Sequence, residues 1–409
     1  MSDSGVTGVP SDDLGHLRQW RSGVVQEVSP PGVHDLGPGY LEPGLLPVGL
    51  LRYAYDRALT EYGAAALSYG HNPGVSLLRE SLAARAGASR CEAANVVLTS
   101  GTSQALYLVS TALAKAGNVV LVEDTSYDLG RRIFTDCGLS VHRVPCDEDG
   151  MDPHALEAAL AQHAGKVAFI YLIPTFHNPT GRVVPISRRH ELLDAASRYG
   201  VLVVEDDAYA DLAFDPGAVP PSLADIAGHR GVLRLCSFAK TLGPGLRLGW
   251  MLTDPELARR LVSHGLFVSG GSLNHTTSLA VAILLRGGDY DRHLTRLRGR
   301  LHERCDALAG RLRASLPDDV EIARPRGGFF LWLSHRNGWS EAELLATADR
   351  AGVRVGAGSR FGTTPWPSVR LAYSFNPPSV LAAAAQRLAG AWNRRPLITL
   401  ESDRALHRS

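Results

Sequence analysis

Lysine is scarce in this sequence, which contains only Lys115, Lys166 and Lys240; every other member of the Lys+Arg total is arginine. Coding bias is the simplest explanation, but the scarcity restricts any chemistry that needs a lysine amine to three positions. A charge surplus is also missing, because the formal net charge is +1. Nucleic-acid binders usually carry a basic excess or stripe. We therefore predict no nucleic-acid partner.

Cysteine pairs and long apolar runs are missing as well. The five cysteines are widely spaced and form no C-x-x-C pair, which argues against a zinc site or a disulfide framework: Cys91, Cys137, Cys146, Cys236 and Cys305. The first residues lack the basic and then apolar pattern of a signal peptide, and no apolar run approaches membrane-spanning length. These absences predict a cytoplasmic protein without metal ligands or a membrane anchor.

An ordinary composition predicts a folded chain. Apolar residues make up 45% and charged residues 20% of 409 residues, so wholesale disorder is excluded and a large core is expected. From about residue 95, short apolar runs rich in β-branched residues alternate with helical patterns, which indicates a mostly parallel sheet covered on both faces. The six runs are Asn95–Leu98, Asn118–Val122, Val167–Leu172, Val201–Glu205, Val232–Cys236 and Leu246–Leu252.

Polar motifs directly follow several of these runs, at the strand ends where ligands of parallel sheets bind. The first motif contains Gly101, Thr102 and Ser103, which open a helix. Free backbone N–H groups at a helix start favour a phosphate, although plain N-capping explains such residues more often.

A second motif places Ser237 and Lys240 after another strand, with Arg247 seven positions beyond the lysine. A lysine held in a closed pocket has a lowered pKa and suits Schiff-base chemistry; a surface lysine is the ordinary alternative. Nearby glycines imitate a dinucleotide-binding motif, which we reject because they open a strand and no acidic ribose ligand follows: Gly243, Gly245 and Gly249.

Two further motifs complete the pattern. The consecutive carboxylates Glu205, Asp206 and Asp207 end a strand, where their burial requires a compensating cation. A protonated ring nitrogen is a better partner than a metal ion here, because no histidine cluster lies nearby. Asn178 lies before a proline in a turn; such a position is often structural, yet its amide can donate to a phenolate oxygen.

In this order and spacing, the motifs resemble those of the fold-type I enzymes that use pyridoxal 5′-phosphate (PLP). The chain is most similar to the class I/II aminotransferases of the kynurenine/2-aminoadipate aminotransferase type, from about Gly39 to about Ala391. This resemblance implies an α/β fold, with a mostly parallel seven-stranded sheet sandwiched by helices and a smaller α+β domain. We expect an arm at 1–50 that contributes to the small domain and the active site. A PLP-binding large domain at 51–315, a small domain at 316–395 and a tail at 396–409 would follow.

The resemblance also implies how PLP is held. Small, hydroxyl and arginine residues would bind its phosphate: Gly101, Thr102, Ser103, Ser237 and Arg247. Four side chains would contact its ring, Tyr127 by stacking, Asp206 at the pyridine nitrogen, and two at the 3-oxygen: Asn178 and Tyr209. Lys240 would form the internal aldimine, and Lys240, Asp206 and Tyr209 are the expected catalytic residues.

The substrate and subunit contacts are implied in the same way. Arg370 matches the arginine that binds the substrate α-carboxylate, and Gly39 and Asn178 are the other expected substrate contacts. Tyr69 matches a tyrosine that reaches the phosphate from a neighbouring subunit, which implies a homodimer with composite sites. Together these residues predict a PLP-dependent aminotransferase that acts on an amino acid and a 2-oxo acid.

Departures from the family pattern keep two alternatives open. The family usually has glutamine at Ser103 and at His177, and the arm segment Gly39–Pro47 lacks the usual Gly-x-Pro-x-Pro-x-x-Phe-Pro spacing. A PLP-dependent cyclase, or an elimination or replacement enzyme of specialised metabolism, would share the cofactor residues. The remote alternative is an aminotransferase-like transcription regulator, which is disfavoured because we find no helix-turn-helix pattern and no basic excess.

Overall fold

The computed structural model describes residues 32–86, 91–336 and 338–393. Most of the predicted arm, residues 1–31, and the predicted tail, residues 396–409, lie outside these ranges. The described chain forms a seven-stranded sheet covered by helices and a smaller antiparallel sheet near its C-terminal end. This arrangement confirms the predicted α/β fold class.

The large sheet is mostly parallel. Its strands, in chain order, are β1 (Val96–Thr99), β2 (Val119–Glu123), β3 (Ser140–Val144), β4 (Val167–Leu172), β5 (Leu202–Asp206), β6 (Val232–Ser237) and β7 (Gly249–Leu252). They lie in the order β1-β7-β6-β5-β4-β2-β3, and only β7 runs antiparallel to its neighbours. The carboxyl ends of the other six strands therefore share one edge, where a ligand site is expected.

All six predicted runs form strands, and one strand of the large sheet, β3, was missed. The bounds of Val167–Leu172 agree with the structure, four other runs differ by one residue at one or both ends, and the last strand begins three residues after the start of its run. Strand β7 begins at Gly249 instead of Leu246, because Pro244–Leu246 forms a 3₁₀ turn and Arg247 has a left-handed backbone, with φ of 46°. Strand β3 is an edge strand whose residues are mostly exposed or half-buried. It therefore lacks the continuous apolar run by which the buried strands were predicted.

Helices cover both faces of the large sheet. The α-helices of the described residues, in chain order, are α1 (Val48–Tyr62), α2 (Ser76–Arg85), α3 (Thr102–Ala112), α4 (Asp128–Asp136), α5 (Pro153–Gln162), α6 (Ile186–Arg198), α7 (Leu223–Ile226), α8 (Pro255–Val262), α9 (Gly265–Gly270), α10 (His275–Arg286), α11 (Asp289–Ser315), α12 (Glu341–Arg350) and α13 (Pro378–Trp392). The last two, α12 and α13, pack with the smaller sheet instead. Alternate residues of β2 enter different cores: Val120 and Val122 pack with α3, whereas Val119 and Leu121 pack with α5 and α6. Burial on both faces explains the uninterrupted apolar sequence of these strands.

The smaller sheet belongs to a separate core. It contains β8 (Val320–Ile322), β9 (Phe330–His335), β10 (Gly356–Ala357) and β11 (Ser368–Ala372), in the order β8-β9-β11-β10. Helices α12 and α13 and the C-terminal half of α11 pack against it. The arm residues Leu36 and Leu41 are buried in the same core. The division into domains stays a prediction.

None of the helices in residues 32–86, 91–336 and 338–393 is both long and apolar enough to cross a lipid bilayer.

Candidate active site

Predicted site residues follow neighbouring strands of the large sheet at their shared edge. Gly101 comes after β1, Tyr127 after β2, Asn178 after β4 and Lys240 after β6, while Asp206 is the last residue of β5. The parallel arrangement of these strands brings their carboxyl ends together. The sequence order of the motifs therefore becomes a spatial cluster.

The Lys240 amine lies against the arm. Its Nζ donates a hydrogen bond of 3.1 Å to the carbonyl of Gly39. Burial lowers the pKa of Lys240 to about 8; the Asp206 carboxylate opposes this effect, and the positive charges of Arg370 and Arg247 add to it. An amine of this kind exists largely as the neutral nucleophile at mildly alkaline pH.

Asp206 is a buried carboxylate with one strong side-chain donor. The Tyr171 hydroxyl donates to Asp206 Oδ2 at 2.8 Å, and the backbone N–H of Ala208 lies 3.4 Å from Oδ1. Burial raises the pKa of Asp206 to about 6, although both hydrogen bonds favour the charged form. A cationic group placed against this carboxylate would remove much of the cost of burying its charge.

Arg370 is presented by β11 between two aromatic rings. Its guanidinium carbon lies 4.2 Å from the ring centroid of Phe330 and 4.6 Å from that of Phe361. Nη1 donates to Asn178 Oδ1 at 2.9 Å, and Nη2 donates to the Gly37 carbonyl at 2.8 Å. Among the described residues the buried Nε has no acceptor. Burial lowers the pKa of Arg370 to about 10, which leaves it charged at neutral pH.

A second arginine lies beside the start of helix α3. Arg247 Nη2 donates to the Ser100 carbonyl at 2.9 Å, and Asn274 Nδ2 donates to the Arg247 carbonyl. Gly101 has φ of 93°, and a Cβ atom at this position would lie 3.0 Å from Arg247 Nη2. Glycine therefore allows the guanidinium to approach the first N–H groups of the helix, which have no acceptors within it. Positive charge and free donors together form a cradle for an anion.

The remaining predicted residues differ in placement. Tyr209 is buried against Phe329, Phe330 and the Lys240 amine, which lies 5.4 Å from the Tyr209 ring centroid. Tyr127 precedes α4, and its pKa is raised to about 12 by burial and by the Asp206 charge.

Three small or exposed residues complete the predicted set. Ser237 caps the turn that carries Lys240, since its Oγ accepts from the Ala239 N–H at 3.0 Å. Thr102 is half-buried and Ser103 is exposed at the start of α3. Tyr69 is 87% exposed, so its proposed contact with a cofactor depends on a second subunit.

The three consecutive carboxylates have separate partners, contrary to the expectation that one cation compensates them. Glu205 accepts from the backbone N–H groups of Leu223 and Ala224 at 2.9 and 3.0 Å, while Asp207 pairs with Arg234 at 2.6 Å. Strand pleating separates Glu205 from Asp206, and only Asp206 remains directed at Tyr171. In the described residues, no group of three or more His, Cys, Asp or Glu side chains is arranged to hold a metal ion.

Several contacting residues were missed because their sequence context is that of a core. Tyr171 lies in the apolar run of β4, and Phe330 in that of β9; neither carries a local signal of its role. Glu123 and His177 form a buried pair, with Nε2 and Oε2 separated by 3.2 Å. In the sequence His177 stands out only as a departure from the family pattern, and its partner lies 54 residues earlier.

These features fit PLP. The cradle at Gly101 and Arg247 suits the phosphate, and the buried Asp206 suits a protonated ring nitrogen. The Lys240 amine, with its lowered pKa, suits the aldehyde carbon.

Comparisons with known proteins agree with this chemistry. The family model for aminotransferase class I and II matches residues 56–388. The 2-aminoadipate transaminase of Thermus thermophilus is 35% identical over 336 residues, which cover 81% of this chain and 82% of that protein. The uncharacterized HTH-type transcriptional regulator YisV of Bacillus subtilis is 31% identical over 343 residues, covering 83% of this chain and 69% of the regulator.

A solved structure is similar over most of its length. The crystal structure of LysN, the α-aminoadipate aminotransferase of Thermus thermophilus, contains N-(5′-phosphopyridoxyl)-L-leucine and has a TM-score of 0.78 with this chain. Its sequence is 33% identical, and the match covers 89% of this chain and 92% of LysN. The chain therefore belongs to the class I and II aminotransferase family, and it is a PLP-dependent transferase.

Proposed function

We propose that this enzyme transfers an amino group between an amino acid and a 2-oxo acid, with Lys240 carrying the cofactor. The arrangement of three groups supports this proposal above other observations: Asp206 ends β5, Lys240 follows the neighbouring strand β6, and Arg370 bonds to Asn178. An amine, a buried acid and a carboxylate-binding arginine are the groups that transamination requires.

Each residue has a distinct task. Bound PLP supplies the electron sink that makes an α-proton of an amino acid removable. The Asp206 carboxylate would hold the ring nitrogen in its protonated form, which maintains that sink. Lys240 Nζ would carry the cofactor and, when its amine is free and neutral, would accept the α-proton of the substrate as a general base. Asn178 and Tyr209 would hold the ring oxygen, and the Gly101–Arg247 cradle would hold the phosphate.

Arg370 would bind the substrate α-carboxylate as a planar fork. A guanidinium has five N–H donors, and the Asn178 and Gly37 acceptors engage only two of them. We expect Arg370→Lys to raise KM about 30-fold and to lower kcat by less than about tenfold, because lysine keeps the charge and loses the fork.

Steady-state kinetics on the best amino acid tests this expectation. Arg336→Lys is the matched control, since Arg336 is an exposed arginine paired with Glu321, and its kinetics should stay unchanged. An unchanged KM in Arg370→Lys would contradict the carboxylate role.

A half-reaction tests the reaction type. The purified holoenzyme is mixed with single amino acids, including basic and hydroxylated ones, without any 2-oxo acid. Stoichiometric conversion of the cofactor to pyridoxamine phosphate, with release of a 2-oxo acid, is expected. A cofactor spectrum that returns to its starting form with a cyclised or eliminated product would favour the cyclase or lyase alternative.

A homodimer with composite sites is also proposed. Large apolar side chains are exposed in helix α1 and the segment after it: Val48, Tyr53, Leu59, Leu67 and Tyr69. Exposed apolar surface of this kind supports an interface with another protein. A second copy of the chain would cover these side chains and give Tyr69 its predicted contact with the neighbouring phosphate.

A transcription-regulator role is the second candidate, and the similarity to YisV is the observation that favours it. The net charge of +1 disfavours it. Salt-dependent binding of duplex DNA by the full chain would support it.

We infer a cytoplasmic location because all five cysteines are free thiols, as expected in a reducing compartment.

A further inference from the structure

The first turns of helix α11 contact the two loops that carry Lys240 and Tyr209. Tyr290, in the first turn, is completely buried. Its hydroxyl oxygen lies 2.8 Å from Asp211 Oδ2 and 3.0 Å from Thr241 Oγ1. Thr241 follows Lys240 directly, and Asp211 is two residues beyond Tyr209. One phenol group therefore joins the two loops.

The hydrogen-bond directions follow from the available protons. A charged carboxylate only accepts, so Tyr290 donates its proton to Asp211 and accepts from the Thr241 hydroxyl. The other acceptor near that hydroxyl, the Phe238 carbonyl, is farther away at 3.4 Å. Burial, together with the Asp211 charge, raises the pKa of Tyr290 well above its usual value, which keeps this donor protonated.

Two more residues of the same helix reinforce the contact. His293 Nε2 lies 2.7 Å from the Thr241 carbonyl, and Arg298 Nε donates to the Asp211 carbonyl at 2.7 Å. Arg85, from α2, lies over the Tyr290 ring at 4.9 Å. Residues of α11 therefore hydrogen-bond to both the side chain and the backbone carbonyl of Thr241 and of Asp211. The C-terminal half of this helix packs in the core of the smaller sheet.

We propose that Tyr290 is a positioning residue, which fixes Lys240 relative to Tyr209 and Asp206 through its bonds to Thr241 and Asp211. The inference rests on the proposed role of Lys240. A catalytic amine must be held within about 0.5 Å of its working geometry, and a shift of about 1 Å caused by a distant change can cost about 100-fold in rate. Among the described residues, the Tyr290 hydroxyl is the only group of α11 that hydrogen-bonds to both side chains, Thr241 and Asp211.

Removing this hydroxyl is the direct test. Tyr290→Phe is expected to lower kcat about tenfold, with KM changed less than about twofold. It should also shift the pH titration of the bound cofactor absorbance and slow cofactor uptake by the apoprotein. Thr241→Val should reproduce these changes, and Thr241→Ser, which keeps the hydroxyl, should retain at least about half of the wild-type kcat.

Tyr55→Phe is the matched control. Tyr55 makes a similar bond, of 2.8 Å, to the Thr277 hydroxyl, but between helices α1 and α10. Tyr55→Phe should lose about as much thermal stability as Tyr290→Phe, about 1 °C in Tm, without any change in kcat or in the cofactor titration.

The kcat of the double variant Tyr290→Phe with Thr241→Val should be no lower than that of either single variant, because both substitutions remove the same hydrogen bond between these two residues. A wild-type kcat and titration in Tyr290→Phe would overturn the inference, as would equal effects in Tyr55→Phe. The proposed function fails separately, if Lys240→Ala retains activity.

Discussion

Replacing Lys240 with alanine is expected to lower kcat by at least about 10⁴-fold, since it removes both the cofactor attachment and the general base. The amine now contacts the Gly39 carbonyl, and the alanine side chain cannot reach it. Turnover and the absorbance of the bound cofactor are the two measurements. Both should change together, because one atom serves both purposes.

Lys166→Ala is the matched control for this experiment. Lys166 is exposed at the opposite end of the sheet, just before β4, so its loss should leave kcat and the absorbance unchanged. Activity in Lys240→Ala at the wild-type level would end the assignment of this lysine.

The lowered pKa of Lys240 adds a pH dependence to the same prediction. Only the neutral amine attacks an aldehyde, and this form predominates above the pKa of about 8. Uptake of cofactor by the apoprotein should therefore accelerate as the pH rises toward 8 and level off above it. An ordinary exposed lysine would continue to accelerate to about pH 10.4.

Asp206→Asn is expected to lower kcat by at least about 10³-fold. The amide has the size of the carboxylate and still accepts from the Tyr171 hydroxyl, so the local packing is kept. It carries no charge, however, and cannot hold a ring nitrogen in its protonated form. The loss should thus appear in kcat with little change in Tm.

Asp207→Asn is the matched control, for which we expect a loss of stability and little loss of kcat. Asp207 compensates Arg234 at 2.6 Å, so this variant should lose stability by about 3 kcal/mol while keeping most of its kcat. Equal kinetic losses in the two variants would contradict a special role for Asp206. Asp206→Asn with a kcat near that of the wild type would do the same.

Strand positions were predictable wherever both faces of a strand are buried. The bounds predicted for β4, residues 167–172, agree with the structure, because this central strand is covered on both faces and its whole run is apolar. The edge strand Ser140–Val144 was missed because solvent on one side permits polar residues such as His142 and Arg143. The apolar content of a segment reflects its burial, and this edge strand is little buried, whereas β1 at the opposite edge is buried at all four residues and was predicted.

The site was predictable to the extent that its residues follow strands in sequence. Lys240, Asp206 and Asn178 could be found this way, because each lies at or just after the end of an apolar run. Tyr171 could not, since a tyrosine inside such a run is usually ordinary core. Tyr290 lies 50 residues from Lys240, and only the three-dimensional fold brings its hydroxyl to Thr241.

The alternation along β5 makes the enzyme sensitive to any shift in the register of this strand. Glu205 and Asp206 are neighbours in sequence with unrelated partners, one on a helix start and the other on a tyrosine. Inserting a single residue before Glu205 would turn each side chain to the opposite face of the strand, and Glu205 would then take the place of Asp206 at the cofactor site. A change in the length of β5 should therefore be more damaging than most substitutions, and we expect this strand to tolerate neither an insertion nor a deletion.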